Sequence, residues 1–190
     1  MDGPHQHLAQ DPRLGPVVEA HGPLSLEPAA DPFRRLIVSI VRQQVSMDSA
    51  AAIRERLFDA VEITPAGIQA AEDAVLQEAG LSAAKTEYVN AVAAYFAETD
   101  VGAFHGMDDE AVLQELTEIR GIGPWTAKMF LLFGLARPDV FPVEDLGIRK
   151  GMRALYDRDL DRAAMYEEAE RWRPYRSYAA RYIWRGYEAD

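Results

Sequence analysis

The sequence contains no cysteine among its 190 residues. This absence excludes disulfide bonds, thiolate zinc sites and iron–sulfur clusters held by cysteine. The chain also lacks any apolar run that approaches the ~20 residues needed by a bilayer-spanning helix. The start of the chain lacks a basic segment followed by an apolar one, so we expect no secretory signal and no membrane partner. These absences favour a reducing, cytoplasmic setting.

Basic residues are outnumbered by acidic ones. The sequence has 20 Lys and Arg against 31 Asp and Glu, which gives a net charge of −11. Residues 1–120 contain 8 basic and 20 acidic residues, for a net of −12, whereas residues 121–190 contain 12 and 11, for +1. Because negative charge repels polyanions, we expect any anion-binding surface in the last third of the chain.

Sustained alternation with period two is missing as well, so the sequence predicts no β-strand. From Asp31 onward apolar residues recur at helical spacing, and Asp31 followed by Pro32 is typical of a helix start. We expect an all-α domain of roughly nine or ten helices over residues 31–190. Residues 1–30 are rich in Pro, Gly and His without clear periodicity, which predicts an extended arm that is only partly ordered.

The segment at residues 116–127, LTEIRGIGPWTA, predicts two helices joined by a very short turn. Gly121 and Gly123 allow backbone angles that a Cβ disfavours, and they leave backbone N–H groups uncovered. Pro124 suits the first turn of the next helix, where outward N–H groups favour a phosphate. An ordinary helix–turn–helix corner with a glycine cap explains the two glycines as well.

The wider pattern resembles the helix–hairpin–helix of DNA repair glycosylases. The matching residues are Leu116, Ile119, Gly121, Ile122, Gly123, Thr126 and Ala127. In that superfamily a loop rich in glycine and proline follows the hairpin and leads to a catalytic aspartate. Here the loop at residues 134–145 reads GLARPDVFPVED and ends at Asp145, 18 residues after Ala127. Two motifs therefore match in the family's order and at its distance.

Four segments are similar to the 3-methyladenine DNA glycosylase II branch, the alkylation-repair enzymes. They are residues 31–46, 116–127, 139–150 and 171–184. The resemblance covers about residues 31–187, and it implies a two-lobed helix–hairpin–helix glycosylase fold without the N-terminal β domain of some members.

The resemblance also implies a monofunctional enzyme. Trp125 stands where relatives that cut the strand through a Schiff base carry a catalytic lysine, and an indole cannot form an imine. Lys128 lies one helical turn further on, and we do not expect it to substitute. The absence of cysteine also removes the cluster-bearing branches of the superfamily.

By resemblance, Asp145 is the catalytic residue. A purine alkylated at N3 or N7 already carries positive charge, so it leaves without the proton donor that an ordinary glycosidase needs. One carboxylate then suffices, either to stabilise the oxocarbenium-like sugar or to orient water. Asp145 would serve equally as a helix cap, and the adjacent Glu144 is the alternative acid.

A base must leave the helical stack before it can be excised. By resemblance, Trp125 and Trp184 line the pocket that receives it, where aromatic rings attract a cationic base. Met129 and Leu146 occupy positions where some relatives have pocket tyrosines, which predicts a more open or more aliphatic pocket. Plain core positions remain the alternative for both tryptophans.

The resemblance further implies the residues that contact DNA. Gln44, next to Gln43, takes the position of the wedge that fills the gap left by the flipped base; a polar helix end is the alternative. Gly121, Gly123 and Thr126 are expected to hold a phosphate through the hairpin backbone. In the superfamily the hairpin carbonyls often hold a monovalent cation, and we expect no metal requirement or other cofactor for catalysis.

Arginines alternate with aromatic residues in the segment at residues 171–185. Arg176 and Ser177, near the start of the last predicted helix, are candidates for phosphate contact. The alternative is a solvated face with tyrosines packed inward.

The sequence thus predicts a monofunctional DNA glycosylase that releases alkylated bases, of the 3-methyladenine and 7-methylguanine type, from double-stranded DNA. The alternatives are a glycosylase for deaminated bases such as hypoxanthine or uracil, a non-catalytic DNA-binding module, and an acidic interaction protein. Nothing in the sequence demands more than a monomer, and a prokaryotic protein of this kind is expected at the nucleoid.

Overall fold

The structure, a computed structural model, describes residues 3–188, with side chains up to Tyr187. Over this range it contains twelve α-helices and no β-strand, which confirms the all-α prediction. The helices are α1 Pro4–Ala9, α2 Gly15–His21, α3 Pro32–Arg42, α4 Met47–Ala60, α5 Pro65–Ala70, α6 Asp73–Glu78, α7 Ala83–Glu98, α8 Asp109–Glu118, α9 Pro124–Met129, α10 Leu146–Tyr156, α11 Arg162–Ala169 and α12 Arg176–Glu188.

Side-chain caps explain where many of these helices begin. Asp31, Ser46, Ser82 and Asp108 each accept a hydrogen bond from the backbone N–H three residues further on, which satisfies one of the orphan donors of the first turn. The helix that Pro124 begins is short: α9 gives way to a π-helical turn, Phe130–Gly134. Leu135 N–H closes this turn on the carbonyl of Phe130 at 3.0 Å.

The chain divides into two compact units. Unit 1 combines Met1–Glu27 with Ala136–Asp190, and unit 2 is Pro28–Leu135. In unit 2, α3 packs against α4, α7, α9 and the π-helical turn. A row of rings at 5.7–5.9 Å between neighbouring centroids runs through this core, formed by Phe33, Phe96, Phe104 and Phe130.

Residues 1–30 differ from the expected extended arm. They contain α1 and α2, and Leu8, Leu14 and Val18 are fully buried in unit 1. These helices have six and seven residues, too short for a hydrophobic period to be visible in the sequence. Tertiary packing stabilises them instead: α2 contacts α12, and the Tyr182 hydroxyl donates to the Gly22 carbonyl at 2.8 Å.

The pairing of α10 with α12 positions the catalytic candidate in unit 1. Gly151 permits the close approach, because a Cβ there would lie 2.5 Å from Cγ2 of Ile183. Trp184 is the next residue along α12, so this crossing brings its indole to the start of α10. Within residues 3–188, no helix has the length and apolar character needed to cross a membrane.

Candidate active site and nucleic-acid interface

Asp145 is the N-cap of α10. Its Oδ1 accepts two hydrogen bonds, from the backbone N–H of Ile148 at 3.0 Å and from the indole Nε1–H of Trp184 at 2.8 Å. Hydrogen bonds to a charged oxygen are short and orient the group strongly, and the N-terminal end of a helix favours a negative charge. The cap and the indole therefore fix the carboxylate in one orientation, so capping and a catalytic role are compatible.

Gly147 lies beside this hydrogen bond. A Cβ at Gly147 would lie 3.0 Å from Oδ1 of Asp145 and 3.0 Å from Cδ1 of Trp184. Such contacts are tighter than ordinary van der Waals contact, so a side chain would press the two groups apart. The glycine in DLGIRK therefore permits the approach of the carboxylate and the indole, a function that the sequence analysis did not foresee.

Glu144 lies next to Asp145 but in a different environment. Its backbone carbonyl accepts a hydrogen bond from Nη1 of Arg149 at 2.6 Å. Its Oε1 lies 3.5 Å from the hydroxyl of Tyr166, at the outer limit of a hydrogen bond. The helix cap and the indole thus orient only the second of the two adjacent carboxylates.

The loop before Asp145 is anchored to the start of α12. The Ser177 hydroxyl is fully buried; it donates to the Arg137 carbonyl at 2.6 Å and accepts from the Val140 N–H at 2.9 Å. Arg176 forms ion pairs with Asp139 at 2.8 Å and with Glu170 at 3.0 Å, and its side chain is only 12% exposed.

Neither residue therefore presents the free polar group expected for phosphate contact. Arg176 and Ser177 were expected to contact a phosphate, but their burial and their internal partners indicate a structural function instead. Both residues hold the loop that leads to the carboxylate, and the alternation of arginine with tyrosine in the sequence could not distinguish the two roles.

The hairpin between α8 and α9 lies in unit 2. Gly121 has a φ of +89°, and a Cβ there would lie 2.1 Å from the ring of Tyr88. Gly123 is different: no atom lies within 4 Å of where its Cβ would be. Gly121 thus serves the internal packing of the turn, whereas Gly123 leaves the outer side of the hairpin open to a ligand.

Gln43 ties the end of α3 to the hairpin. Its Nε2 donates to the Gly121 carbonyl at 3.0 Å and to Oγ1 of Thr126, which is buried, at 2.9 Å. Gln44, the predicted wedge, follows with a φ of +55° and an exposed side chain. The two adjacent glutamines therefore differ, since the amide of Gln43 faces the protein and only that of Gln44 faces solvent.

A groove of about 450 Å³ lies beside the hairpin in unit 2. Gln43, Gln44 and residues 117–123 line it, together with Lys85 and Tyr88 from α7. The Lys85 ammonium donates to the Val41 carbonyl at 2.7 Å, and burial lowers its pKa. Sequence reasoning missed Lys85 and Tyr88, because they lie more than thirty residues from the hairpin in the chain and nothing in the local pattern of α7 marks them.

The four predicted pocket residues belong to different units. Trp125 is half-buried and Met129 is buried, one helical turn apart in unit 2. In unit 1, Leu146 is 54% exposed next to Asp145, and Trp184 is half-buried with its N–H on the carboxylate. Within residues 3–188, no group of three or more His, Asp or Glu side chains is arranged to hold a metal ion.

Comparison with known proteins finds relatives that are named DNA-3-methyladenine glycosylases. The chain is 33% identical to a DNA-3-methyladenine glycosylase of Saccharomyces cerevisiae and 30% identical to DNA-3-methyladenine glycosylase 2 of Escherichia coli, over 96% and 93% of its length. It spans 69% and 66% of those two relatives, and 66% of a similar protein from Bacillus subtilis. The curated relatives are thus longer proteins.

Two solved structures have nearly the same fold. A DNA-3-methyladenine glycosidase from Bacillus halodurans superposes with a TM-score of 0.82 at 33% identity, over 98% of this chain and 90% of that one. The Schizosaccharomyces pombe 3-methyladenine DNA glycosylase in complex with abasic DNA gives 0.87 at 27% identity, over 97% and 96%.

A family model matches residues 37–177, which include the second half of α3, the hairpin and Asp145. It describes base excision DNA repair proteins, as the hairpin and the aspartate after it predict. This chain belongs to the HhH-GPD superfamily of base excision DNA repair proteins.

Proposed function

We propose that this protein is a monofunctional DNA glycosylase that hydrolyses the N-glycosidic bond of alkylated bases in double-stranded DNA. The observation that carries the proposal is the carboxylate of Asp145, which the start of α10 and the indole of Trp184 hold in one orientation. Orienting a catalytic group before the substrate arrives lowers the entropic part of the barrier.

The reaction needs little beyond this carboxylate. In a base of the 3-methyladenine or 7-methylguanine type, the C1′–N bond breaks and its electron pair leaves with the base, whose positive charge is thereby neutralised. Water adds to C1′ of the oxocarbenium-like sugar and loses a proton, so the products are the free base and an abasic site. Asp145 stabilises the positive charge that develops on the sugar or orients the water.

The residues of unit 2 supply DNA binding in this proposal. Gln44, exposed and with a left-handed backbone, enters the gap that the flipped base leaves. The open side of Gly123 lets a phosphate approach the hairpin backbone. Gln43 acts indirectly, since its amide holds the hairpin at Gly121 and Thr126.

The pocket assignment is part of the proposal. Trp125 and Trp184 offer aromatic surface to a cationic base, an attraction of about 0.5–2 kcal/mol per favourable contact. Met129, in unit 2, and the exposed Leu146, in unit 1, each offer aliphatic surface to the base. Because Trp125 cannot form an imine, the protein leaves the strand intact, and a borohydride-trapped protein–DNA adduct would contradict this assignment. In this proposal the protein acts as a monomer. In a prokaryote its place is the nucleoid.

The experiment that tests this function compares base release from methylated duplex DNA by the native protein and by Asp145→Asn. Asparagine retains the shape and the capping oxygen but removes the charge, so we expect release to fall by about 10² or more. Glu144→Gln is the matched control, since it removes the neighbouring charge, and we expect its release rate to stay within about threefold of native.

Each other outcome has a distinct meaning. Equal release by native protein and Asp145→Asn would transfer the chemistry to another residue, with Glu144 the first to test. Release of hypoxanthine or uracil in place of methylated bases would favour a glycosylase for deaminated bases. Binding without release of any base would favour the non-catalytic module.

A further inference from the structure

Three arginines on α3 and α4 form a cluster, which we call the arginine cluster: Arg35, Arg42 and Arg54. Arg35 and Arg42 are seven residues apart and so lie on one side of α3, against which α4 packs. The Arg35 guanidinium is half-buried, 4.6 Å above the ring of Phe133. Its burial, and then the charges of Arg42 and Arg54, lower its pKa to about 10.

Among the described residues, no carboxylate forms an ion pair with any of the three arginines. Arg42 contacts the sulfur of Met47 at 3.0 Å, and Arg35 stacks on a ring. The three arginines therefore lie near one another without an ion-pair partner. This is notable in residues 28–135, which contain 16 Asp and Glu against only 8 Lys and Arg.

In the last third of the chain, by contrast, several arginines do form ion pairs. The sequence places most basic residues there, but the structure pairs many of them internally. Arg153, Arg158, Arg171, Arg173 and Arg176 each form an ion pair with an Asp or Glu side chain of unit 1. These five arginines therefore do not form the anion-binding surface that was expected in the last third of the chain. The arginine cluster, which forms no such ion pairs, lies instead within residues 28–135, where acidic residues outnumber basic ones.

We propose that the arginine cluster binds backbone phosphates of the DNA duplex beside the wedge residue Gln44. This inference rests on the proposed function, because that function brings a duplex to Gln44, two residues after Arg42. Guanidinium groups match phosphate geometry and remain charged at neutral pH. The acidic remainder of unit 2 repels the duplex, so a local positive cluster also restricts how the DNA docks.

The test measures how the affinity for DNA depends on salt. The probe is a fluorescent duplex with a stable abasic-site analogue, titrated at several KCl concentrations with native protein and with Arg35→Gln/Arg42→Gln/Arg54→Gln. We expect the slope of log affinity against log salt to become shallower by about 2 to 3, since each lost phosphate contact removes about 0.9. The control is Arg153→Gln/Arg158→Gln/Arg173→Gln, which removes the same charge from ion-paired, exposed arginines.

The control variant is expected to keep the native slope. A native slope in the cluster variant would overturn the proposal. An equally shallow slope in both variants would overturn it too, because the change would then follow from net charge and not from this cluster. Base release at saturating enzyme separates this result from the proposed function: we expect the cluster variant to release methylated bases within about threefold of native once the DNA is bound. If the triple variant does not fold, the exposed Arg54→Gln alone is expected to lower the slope by about 0.9.

Discussion

The indole N–H of Trp184 donates a hydrogen bond of 2.8 Å to Oδ1 of Asp145, across 39 residues of sequence. The same oxygen caps α10 through the N–H of Ile148. A tryptophan that sequence comparison assigns to a base pocket therefore also orients the carboxylate. The orientation of the Asp145 carboxylate therefore depends on the position of α12 as much as on its own helix.

Removal of the indole donor tests this dependence. We expect Trp184→Phe to lower the single-turnover rate of base release by about 10- to 100-fold, because a misplaced catalytic group costs roughly this much. Affinity for abasic DNA should stay near native. Tyr187→Phe is the control, one turn further along α12 with a partly exposed side chain, and its rate should equal that of the native protein. An unchanged rate in Trp184→Phe would remove the indole from the mechanism.

The substitution Gly147→Ala tests the same contact without changing either partner. The new Cβ would lie 3.0 Å from both Oδ1 of Asp145 and Cδ1 of Trp184, so we expect a clear loss of base release. Alanine favours a helix over glycine by up to about 1 kcal/mol, and the Tm should therefore change little. Gly106→Ala, where nothing lies within 4 Å of the added Cβ, should retain both activity and Tm.

Alanine substitutions at the two hairpin glycines are expected to have different effects on stability and on DNA binding. Gly121→Ala combines a positive φ with a Cβ 2.1 Å from the ring of Tyr88, so urea denaturation should show a loss of at least about 1–2 kcal/mol. Gly123→Ala meets no atom and should keep its stability, while binding to abasic DNA weakens because a methyl group obstructs the phosphate. A stable variant with native binding would refute the role of Gly123.

Tyr95 predicts a pH dependence of stability. Burial, and then the hydrogen bond to Glu115, raise its pKa to about 12 from an ordinary 10. The folded state thus favours the neutral phenol, and this stabilisation is fully present below pH 10 and is lost as the pH rises towards 12. The difference in unfolding free energy between native protein and Tyr95→Phe should be largest near pH 9 and shrink towards pH 12. A difference that stays constant with pH would contradict the assignment.

Local signals in the sequence were sufficient for most helices. Asp31 and Pro32 start α3, and Asp145 starts α10, because capping depends on a few adjacent residues. The first two helices escaped prediction since their stability comes from tertiary packing: α1 contacts α2, and α2 contacts α12, which lies more than 150 residues away in the chain.

The candidate site residues were proposed from a motif, and their surroundings were not predictable from it. The motif indicates Asp145, Gln44 and the hairpin as candidates, but their hydrogen-bond partners depend on the packed structure. Gln43 and Gln44 look alike in the sequence, and only the fold directs one amide inward to Gly121 and the other outward. Likewise Arg176 forms ion pairs and Arg35 forms none, a difference that depends on which side chains the fold brings near each arginine.

Unit 1 is assembled from two stretches of chain with the whole of unit 2 between them. Its first stretch, with α1 and α2, leaves the ribosome long before α12, whose Tyr182 and Arg181 bond to the carbonyls of Gly22 and Ser25. Unit 2 is contiguous and can complete its core during synthesis, while the buried Leu8, Leu14 and Val18 of the first stretch must wait. The order of translation thus places the formation of the Asp145–Trp184 contact among the last steps in maturation of this enzyme.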